Sequence, residues 1–81
     1  MDIKLSKAAL KFLRRMDKNT FKRINESIDG LKNQPPSGDI APYKGYPGYS
    51  RLRVGKYRII FRLINKTIWI DEIDSRGQVY K

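Results

Sequence analysis

The sequence predicts a small α+β domain, in which a helical hairpin packs on one face of a curved, mainly antiparallel four-stranded sheet. Three observations support this fold class. The 81 residues suffice for a single domain, spanning 1–81, and leave no room for a second. Apolar residues recur at helical spacing early in the chain and alternate with polar residues near its end. A loop rich in proline and glycine separates the two patterns.

The first part of the chain predicts one strand and two helices. Residues 1–5 alternate, with Ile3 and Leu5 on one face, and Ser6 stands where a helix N-cap is needed. Two helices then follow, the second capped by Asn19 or Thr20. Their apolar stripes predict an antiparallel helical hairpin with a solvated basic outer face. These stripes are Ala9, Leu10, Phe12, Leu13 and Met16 in the first helix, and Phe21, Ile24, Ile28 and Leu31 in the second.

The second part of the chain predicts three strands. Residues 33–48 contain four prolines and three glycines, and they are expected to form a loop. Strands follow at 49–54, 57–64 and 67–73, and the two connections between them are tight two-residue turns. The predicted element order is therefore β-α-α-β-β-β.

The composition limits the function classes. Eighteen basic and eight acidic residues give a formal charge of +10, which favours a polyanionic partner: nucleic acid first, an acidic protein second and a membrane surface third. A surface that merely keeps a small protein soluble is the alternative. The chain has no histidine and no cysteine, which excludes a histidine base and a His/Cys zinc site. No signal peptide or membrane-spanning run is recognisable, so we expect a cytoplasmic domain and no membrane partner.

The hairpin at 49–63 concentrates this charge. Residues 41–66 hold seven basic residues and no acid, which predicts a positive patch without neutralising neighbours. Because side chains alternate across a strand, the hairpin has one apolar face and one basic face. The apolar face, expected against the helices, carries Leu52, Val54, Tyr57, Ile59, Phe61 and Leu63. The basic face carries Arg51, Arg53, Arg58 and Arg62.

The remaining aromatic and acidic residues allow two interpretations. Tyrosines 43, 46, 49 and 80 either stack on bases or pack the proline-rich loop. Trp69 is expected in the core. Asp71 and Glu72 are adjacent on a strand, so we expect them on opposite faces and unable to share an ion easily. With Asp74, they are expected to be surface carboxylates or arginine partners rather than metal ligands. No metal or other cofactor is expected.

The stretch YKGYPGYSRLRVGKYRIIFRL, followed by SRGQVYK, resembles the RelE/ParE superfamily of bacterial toxins over nearly the whole chain. In the RelE branch, these toxins are ribosome-dependent endoribonucleases that cut mRNA in the ribosomal A site. The resemblance places Tyr49 on a catalytic lysine of that branch, and Ser75 where many relatives have histidine. It implies a catalytic set of Arg51, Arg58, Arg76 and Tyr80, and a nucleic-acid-binding set of Lys44, Tyr49, Arg53 and Arg62.

The resemblance implies a reaction and its partners. RNA can be cut by attack of its own 2′-OH on the adjacent phosphate, which needs no metal, with arginines stabilising the phosphorane charge. The expected partners are mRNA on the ribosome and a cognate antitoxin, in a toxin–antitoxin hetero-oligomer. An acidic, partly disordered antitoxin segment is expected to fold against the helices or the sheet. Two alternatives stay open: a ParE-like inhibitor of DNA gyrase without nuclease activity, and a non-catalytic RNA-binding relative.

Overall fold

The structure, a computed structural model, describes residues 2–75. Two α-helices and a short 3-10 turn pack on one face of a five-stranded sheet. The elements are β1 (Asp2–Leu5), α1 (Lys7–Arg14), α2 (Lys18–Asp29), the 3-10 turn (Gly30–Lys32), β2 (Asp39–Pro42), β3 (Ser50–Val54), β4 (Tyr57–Ile64) and β5 (Thr67–Ser75).

The sheet has the order β1-β5-β4-β3-β2. The β1–β5 pair is parallel and the other three pairs are antiparallel, which confirms the predicted mainly antiparallel sheet. The prediction of four strands was wrong by one, because β2 lies inside the segment that was expected to be a loop. β2 tolerates Pro42 because it is an edge strand and pairs on one side only.

Both helices begin at a side-chain cap. Ser6 caps α1 as predicted, and its Oγ accepts a hydrogen bond from the Ala9 amide at 3.1 Å. Asp17 caps α2, so the prediction of Asn19 or Thr20 in that role was wrong. Its carboxylate accepts a hydrogen bond from the Thr20 amide at 3.4 Å, and bonding to Thr20 lowers the pKa of Asp17. Neither helix of the described segment is long and apolar enough to cross a bilayer.

The core lies between the helices and the sheet. Ile24, Leu52, Ile59 and Ile70 are its largest fully buried side chains, and burial of each contributes about 1.5–3 kcal/mol. The helical stripes are confirmed only in part, because two of their members face solvent: Leu10 is 41% exposed and Phe21 is 42% exposed. The other stripe residues form the core or pack against it: Ala9, Leu13, Ile28 and Leu31 are buried, and Phe12 and Met16 are partly buried.

A bulge interrupts the pairing of β4 with β5. The register shifts by one residue between Ile60 and Phe61, so that Asp71 is the extra residue and Glu72 lies opposite Ile60. The Asp71 carboxylate contacts Arg62, which places both acids on the sheet face away from the helices. The expectation of opposite faces was therefore wrong. Without the extra residue, strict alternation would turn Glu72 towards the core.

Two apolar residues also depart from their predicted places. Leu63 was expected to meet the helices but is 58% exposed at the end of β4. Trp69 was expected in the core, yet it pairs with Arg62 across the β4–β5 ladder and is only partly buried. Paired residues share a face, so Trp69 lies on the arginine side of the sheet.

Candidate functional site

The sheet face turned away from the helices, called the bare face from here on, carries the predicted arginine cluster. Arg53 and Arg58 are directly opposite each other on β3 and β4, and Arg51 is opposite Ile60. Arg62 lies farther along β4, two residues beyond Ile60 on the same face. The alternation of the hairpin therefore places the four arginines together, as the sequence predicts.

An apolar side chain lies beneath these arginines. Ile60 is only 3% exposed, although it does not belong to the core cluster under the helices. Its cross-strand neighbours are Arg51 on β3 and Glu72 on β5. The long stems of arginine side chains can cover apolar surface while their charged heads stay in solvent. The bare face is thus a thin polar layer over a buried isoleucine.

Arg58 is held by Asp74 in a two-point contact. Its Nε donates to Oδ1 of Asp74 at 3.0 Å, and its NH2 donates to Oδ2 at 2.9 Å. This bidentate geometry is the strongest arrangement for a guanidinium and a carboxylate. The hydrogen bonds that Arg58 donates to Asp74, together with the negative charge of that carboxylate, raise the pKa of Arg58. Arg58 is therefore permanently charged and held in one orientation.

Two further arginines have carboxylate partners. Arg51 NH1 lies 3.7 Å from Asp39 on β2. Arg62 Nε lies 3.1 Å from Asp71, although neither of these two atoms meets the geometry of a hydrogen bond. Both are looser contacts than the Arg58–Asp74 pair. Arg51 NH1 is buried and makes no hydrogen bond to a described residue, because Asp39 Oδ1 at 3.7 Å is beyond hydrogen-bond distance.

The prediction of a patch without acids was therefore wrong. Residues 41–66 contain no acid, but the neighbouring strands bring carboxylates to the arginines from outside that range. The bare face pairs its charges instead of repelling itself, and its arginines are positioned by their acids. Its carboxylates are Asp39, Asp71, Glu72 and Asp74.

Tyrosines continue the site beyond β3. The guanidinium of Arg62 lies over the ring of Tyr49, 5.2 Å from its centroid. Tyr43 and Tyr46 stack with centroids 4.7 Å apart, and Tyr46 meets Tyr49 edge-on at 6.5 Å. These contacts support packing of the loop for both Tyr43 and Tyr46, although Tyr46 is 55% exposed. Lys44 is exposed in the turn between the stacked pair.

Trp69 and Lys4 were missed as members of this surface. The Lys4 ammonium lies over the Trp69 ring, 5.4 Å from its centroid, and Lys4 pairs with Trp69 across the β1–β5 ladder. Arg62 is the other cross-strand neighbour of Trp69. The pattern of cation and aromatic opposite each other was available in the sequence, but it needed the β1–β5 register to be recognised.

Two predicted catalytic residues, Arg76 and Tyr80, lie outside the described residues. Ser75 is the last residue of β5 and is buried. It lies opposite Tyr57, which packs against the core, so it faces the helix side and not the arginines. Within residues 2–75, no three acidic side chains converge in a way that could hold a metal ion.

A model of the family described as ParE toxin of type II toxin-antitoxin system, parDE, matches residues 3–80. Toxin RelE3 of Methanocaldococcus jannaschii is 31% identical over 84 residues, covering 99% of this chain and 96% of that protein. The RelE–RelB complex from Pyrococcus horikoshii OT3 superposes with a TM-score of 0.79 at 27% identity, covering 95% of this chain and 96% of that one. The RelB–RelE complex from Methanococcus jannaschii superposes with a TM-score of 0.75 at 29% sequence identity. The match covers 94% of this chain and 93% of that one.

These similarities agree with the geometry. A helical pair on one face of a five-stranded sheet, with arginines on the other face, defines a small α+β domain of the RelE type. The chain belongs to the RelE/ParE superfamily of toxins from type II toxin–antitoxin systems.

Proposed function

We propose that this toxin is a ribosome-dependent, metal-independent endoribonuclease that cleaves mRNA in the A site by attack of the 2′-OH on the adjacent phosphate. The observation that carries the proposal is the immobilised guanidinium of Arg58, flanked on the bare face by Arg51 and Arg62. Fixed cations at the position of developing charge stabilise a transition state without reorganising.

Arg58 keeps donors free for a phosphate. Its contact with Asp74 uses Nε and one NH2 hydrogen, and a guanidinium has five N–H donors in a planar fork. The NH1 side remains for the non-bridging phosphate oxygens. Arg51 adds a second positive charge on the same face, 3.7 Å from Asp39. Because its NH1 atom is buried, that atom stabilises a bound phosphate through its charge and not through a direct hydrogen bond.

The reaction also needs two proton transfers, from the 2′-OH and to the leaving oxygen. By its family resemblance, Tyr80 moves a proton and Arg76 adds charge stabilisation. Tyr49 is a second phenol, placed against the Arg62 guanidinium. Because the ribosome positions the message, alignment of the 2′-OH with the phosphate is supplied by the ribosome, and the toxin contributes electrostatics and proton movement.

The helices provide the surface for an antitoxin. Residues 6–32 hold eight basic and three acidic residues, and the exposed Leu10 lies in a shallow cleft whose other lining residues include Lys7, Lys11 and Arg14. An amphipathic acidic segment fits such a surface. The two solved relatives described above were determined with RelB antitoxins. We therefore propose a cognate antitoxin that docks on α1 and forms a toxin–antitoxin hetero-oligomer.

A ParE-like inhibitor of DNA gyrase is the second candidate. The matching family model is described as a ParE toxin, and the carboxylates on the bare face neutralise the arginines that a nuclease would use. In that case the arginine–carboxylate pairs are structural, and the toxin acts by binding.

Primer extension on a reporter mRNA in a cell-free translation system tests the nuclease proposal. We expect cuts only on translating ribosomes. Arg58→Ala should reduce cleavage about a hundredfold or more, because it removes a fixed transition-state donor. Lys56→Ala is the matched control, since Lys56 is an exposed residue of the same hairpin located at its turn, and it should cleave like the unaltered chain.

Tyr80→Phe separates proton movement from charge. It should slow cleavage while leaving retention of the toxin on ribosomes unchanged. Intact mRNA together with inhibited gyrase supercoiling would move the protein to the ParE class. Intact mRNA, active gyrase and retained RNA binding would instead identify a non-catalytic RNA-binding relative, and would overturn the catalytic assignment.

A further inference from the structure

The outer edge of β1 is open for pairing. β1 is the terminal strand of the sheet, and its single neighbour in the described structure is β5. The amide of Asp2 donates to the carbonyl of Lys66, in the turn before β5, and the amide of Ser6 donates to the carbonyl of Ile70 on β5. Because backbone groups alternate in direction along a strand, the N–H and C=O groups of Ile3 and Leu5 point away from β5. They form a short row of donors and acceptors that no strand within residues 2–75 pairs with.

A cleft runs beside this edge, between β1 and α2. Its volume is about 480 Å³, and its apolar floor is formed by Ile3, Leu5 and Ile28. Its polar rim is lined by Asn25, Glu26, Asp29 and Lys32. A strand added to β1 would place its helix-side residue at the mouth of this cleft, against Ile3 and Ile28. The edge therefore offers an added strand both backbone hydrogen bonds and an apolar surface for one of its side chains.

The charges along β1 favour a second copy of the same strand. Asp2 and Lys4 flank Ile3 and lie on the same face of the sheet, so the sequence Asp2-Ile3-Lys4 is complementary to itself when it is reversed. The rim of the cleft has mixed charge, because Lys32 lines it together with Glu26 and Asp29 and lies 3.5 Å from Asp29. The choice of occupant therefore depends on the complementarity of Asp2 and Lys4.

We propose that the β1 strands of two copies pair antiparallel about a two-fold axis at Ile3, joining two five-stranded sheets into one. In this register Ile3 faces Ile3 of the second copy, and the two residues exchange backbone hydrogen bonds. Asp2 of each copy lies opposite Lys4 of the other, which gives two cross-strand ion pairs. The helices of both copies lie on the same side of the joined sheet, and both bare faces remain open.

Charge selects this register over its neighbour. Pairing about Lys4 also uses the outward-pointing groups of Ile3 and Leu5, since it sets Ile3 opposite Leu5. It places Lys4 directly opposite Lys4 of the second copy, however, and like charges in that position are destabilising. Pairing about Ile3 replaces this repulsion with two attractive pairs. The proposed dimer is independent of the nuclease proposal, because it uses no residue of the arginine cluster.

Cysteine cross-linking of the full-length chain tests the pairing and its register together. The chain has no cysteine, so single cysteines report without background. In the proposed register, positions 2 and 4 of different copies form a non-hydrogen-bonded pair with Cα atoms about 4.5 Å apart, within the range of roughly 4.4–6.8 Å for a disulfide. An isotope-labelled Asp2→Cys protein mixed with Lys4→Cys should give a mixed disulfide dimer under mild oxidation.

The controls decide the outcome. Lys4→Cys alone should stay monomeric, and its self-cross-linking would overturn the register in favour of pairing about Lys4. Leu63→Cys, an exposed position at the far end of β4, measures random collision. If the Asp2→Cys and Lys4→Cys mixture cross-links no faster than Leu63→Cys, the pairing itself is wrong.

Charge reversal tests the same interface without oxidation. Sedimentation equilibrium of the unaltered chain should give a molar mass rising with concentration towards twice 9.5 kDa. Asp2→Lys should weaken association roughly tenfold or more, because both ion pairs become repulsive. The double change Asp2→Lys with Lys4→Asp should restore it. An unaltered chain that stays monomeric to millimolar concentration, or a double variant no better than the single one, would overturn the proposal.

Discussion

The two faces of the sheet keep water from apolar side chains in different ways. On the helix-covered face, Leu52, Ile59 and Ile70 are buried beneath two helices. On the bare face no element of the described chain covers Ile60, yet it is almost as buried, with arginines around it. One face is protected by secondary structure, and the other by side chains that pair with carboxylates.

The surfaces also differ in how their charges are arranged. Three of the four arginines of the bare face are paired with carboxylates, and Arg53 is exposed without an ion pair among the described residues. The helical segment 6–32 has eight basic and three acidic residues. Unpaired charge attracts partners over a distance, whereas paired charge fixes geometry. We therefore expect the helices to attract an acidic partner, while the bare face holds Arg51, Arg58 and Arg62 in fixed positions.

The largest expected effect on stability comes from shortening a buried isoleucine on each face of the sheet. Ile59→Ala should lower the free energy of unfolding by about 3–4 kcal/mol, because the helices hold the cavity open. Ile60→Ala should cost about 2 kcal/mol, the low end of the range for such changes, since flexible arginine stems can relax into the space. Urea denaturation of both variants measures the difference.

The two substitutions differ mainly in what covers the altered residue, helices for Ile59 and arginine side chains for Ile60. The two isoleucines are adjacent on β4 and have nearly the same exposure, 0% and 3%. Equal losses of stability would contradict the idea that the arginine layer is softer than the helical layer. An unchanged m-value in both variants is the control for an unaltered denatured state.

A smaller effect is expected from removing one partner of the Arg58–Asp74 pair on the bare face. Arg58→Ala and Asp74→Asn should each destabilise by about 1–2 kcal/mol, since each leaves a partly buried partner without its hydrogen bonds. The double variant should lose less than the sum, with a coupling of about 1 kcal/mol in a double-mutant cycle. Thermal unfolding of the four proteins gives this coupling.

Lys11→Ala is the control on the helical layer, where the exposed lysine has no ion pair among the residues described. Its stability should change by less than about 0.5 kcal/mol. Additive losses for Arg58 and Asp74 would mean that the carboxylate does not position the guanidinium.

The sequence was sufficient to predict the hairpin and its two faces. Alternation along β3 and β4 is strict, the connecting residues suit tight turns, and Asn65 and Lys66 adopt the positive φ angles of 49° and 64° that such turns require. The helical stripes and the Ser6 cap follow from local rules in the same way. The predicted grouping of the arginines therefore depended on short-range pattern alone.

The carboxylate partners depended on a feature that local pattern does not encode. Counting back from the Asn65-Lys66 turn without a bulge sets Arg58 opposite Ile73. The bulge at Asp71 shifts the register by one, which brings Asp74 opposite Arg58. The bulge keeps both Asp71 and Glu72 on the bare face and out of the core, where an unpaired charge would be costly. The site geometry is a consequence of that single inserted residue.

The missed strand has a similar cause. β2 contains only four residues, ends in Pro42 and is an edge strand, so its own sequence resembles a loop. Its pairing with β3 carries Asp39 to the arginine cluster. Non-local pairing therefore supplied Asp39, which the sequence did not indicate as an arginine partner. Asp71 and Asp74 were expected as surface carboxylates or arginine partners, and the register of β4 with β5 determines which arginine each of them meets.

The smallest expected effect marks where the helix-covered face ends. Leu63 belongs by alternation to that face, but it lies at the end of β4 and is 58% exposed. Leu63→Thr keeps a residue favourable to strands and removes little buried area, so stability should change by less than about 0.5 kcal/mol. Phe61→Thr, one alternation step nearer the helices and only 8% exposed, should cost about 3 kcal/mol or more, because it leaves a cavity and buries a hydroxyl. Urea denaturation of the two variants locates the boundary: a Leu63→Thr loss approaching that of Phe61→Thr would mean that the helices cover the full length of β4.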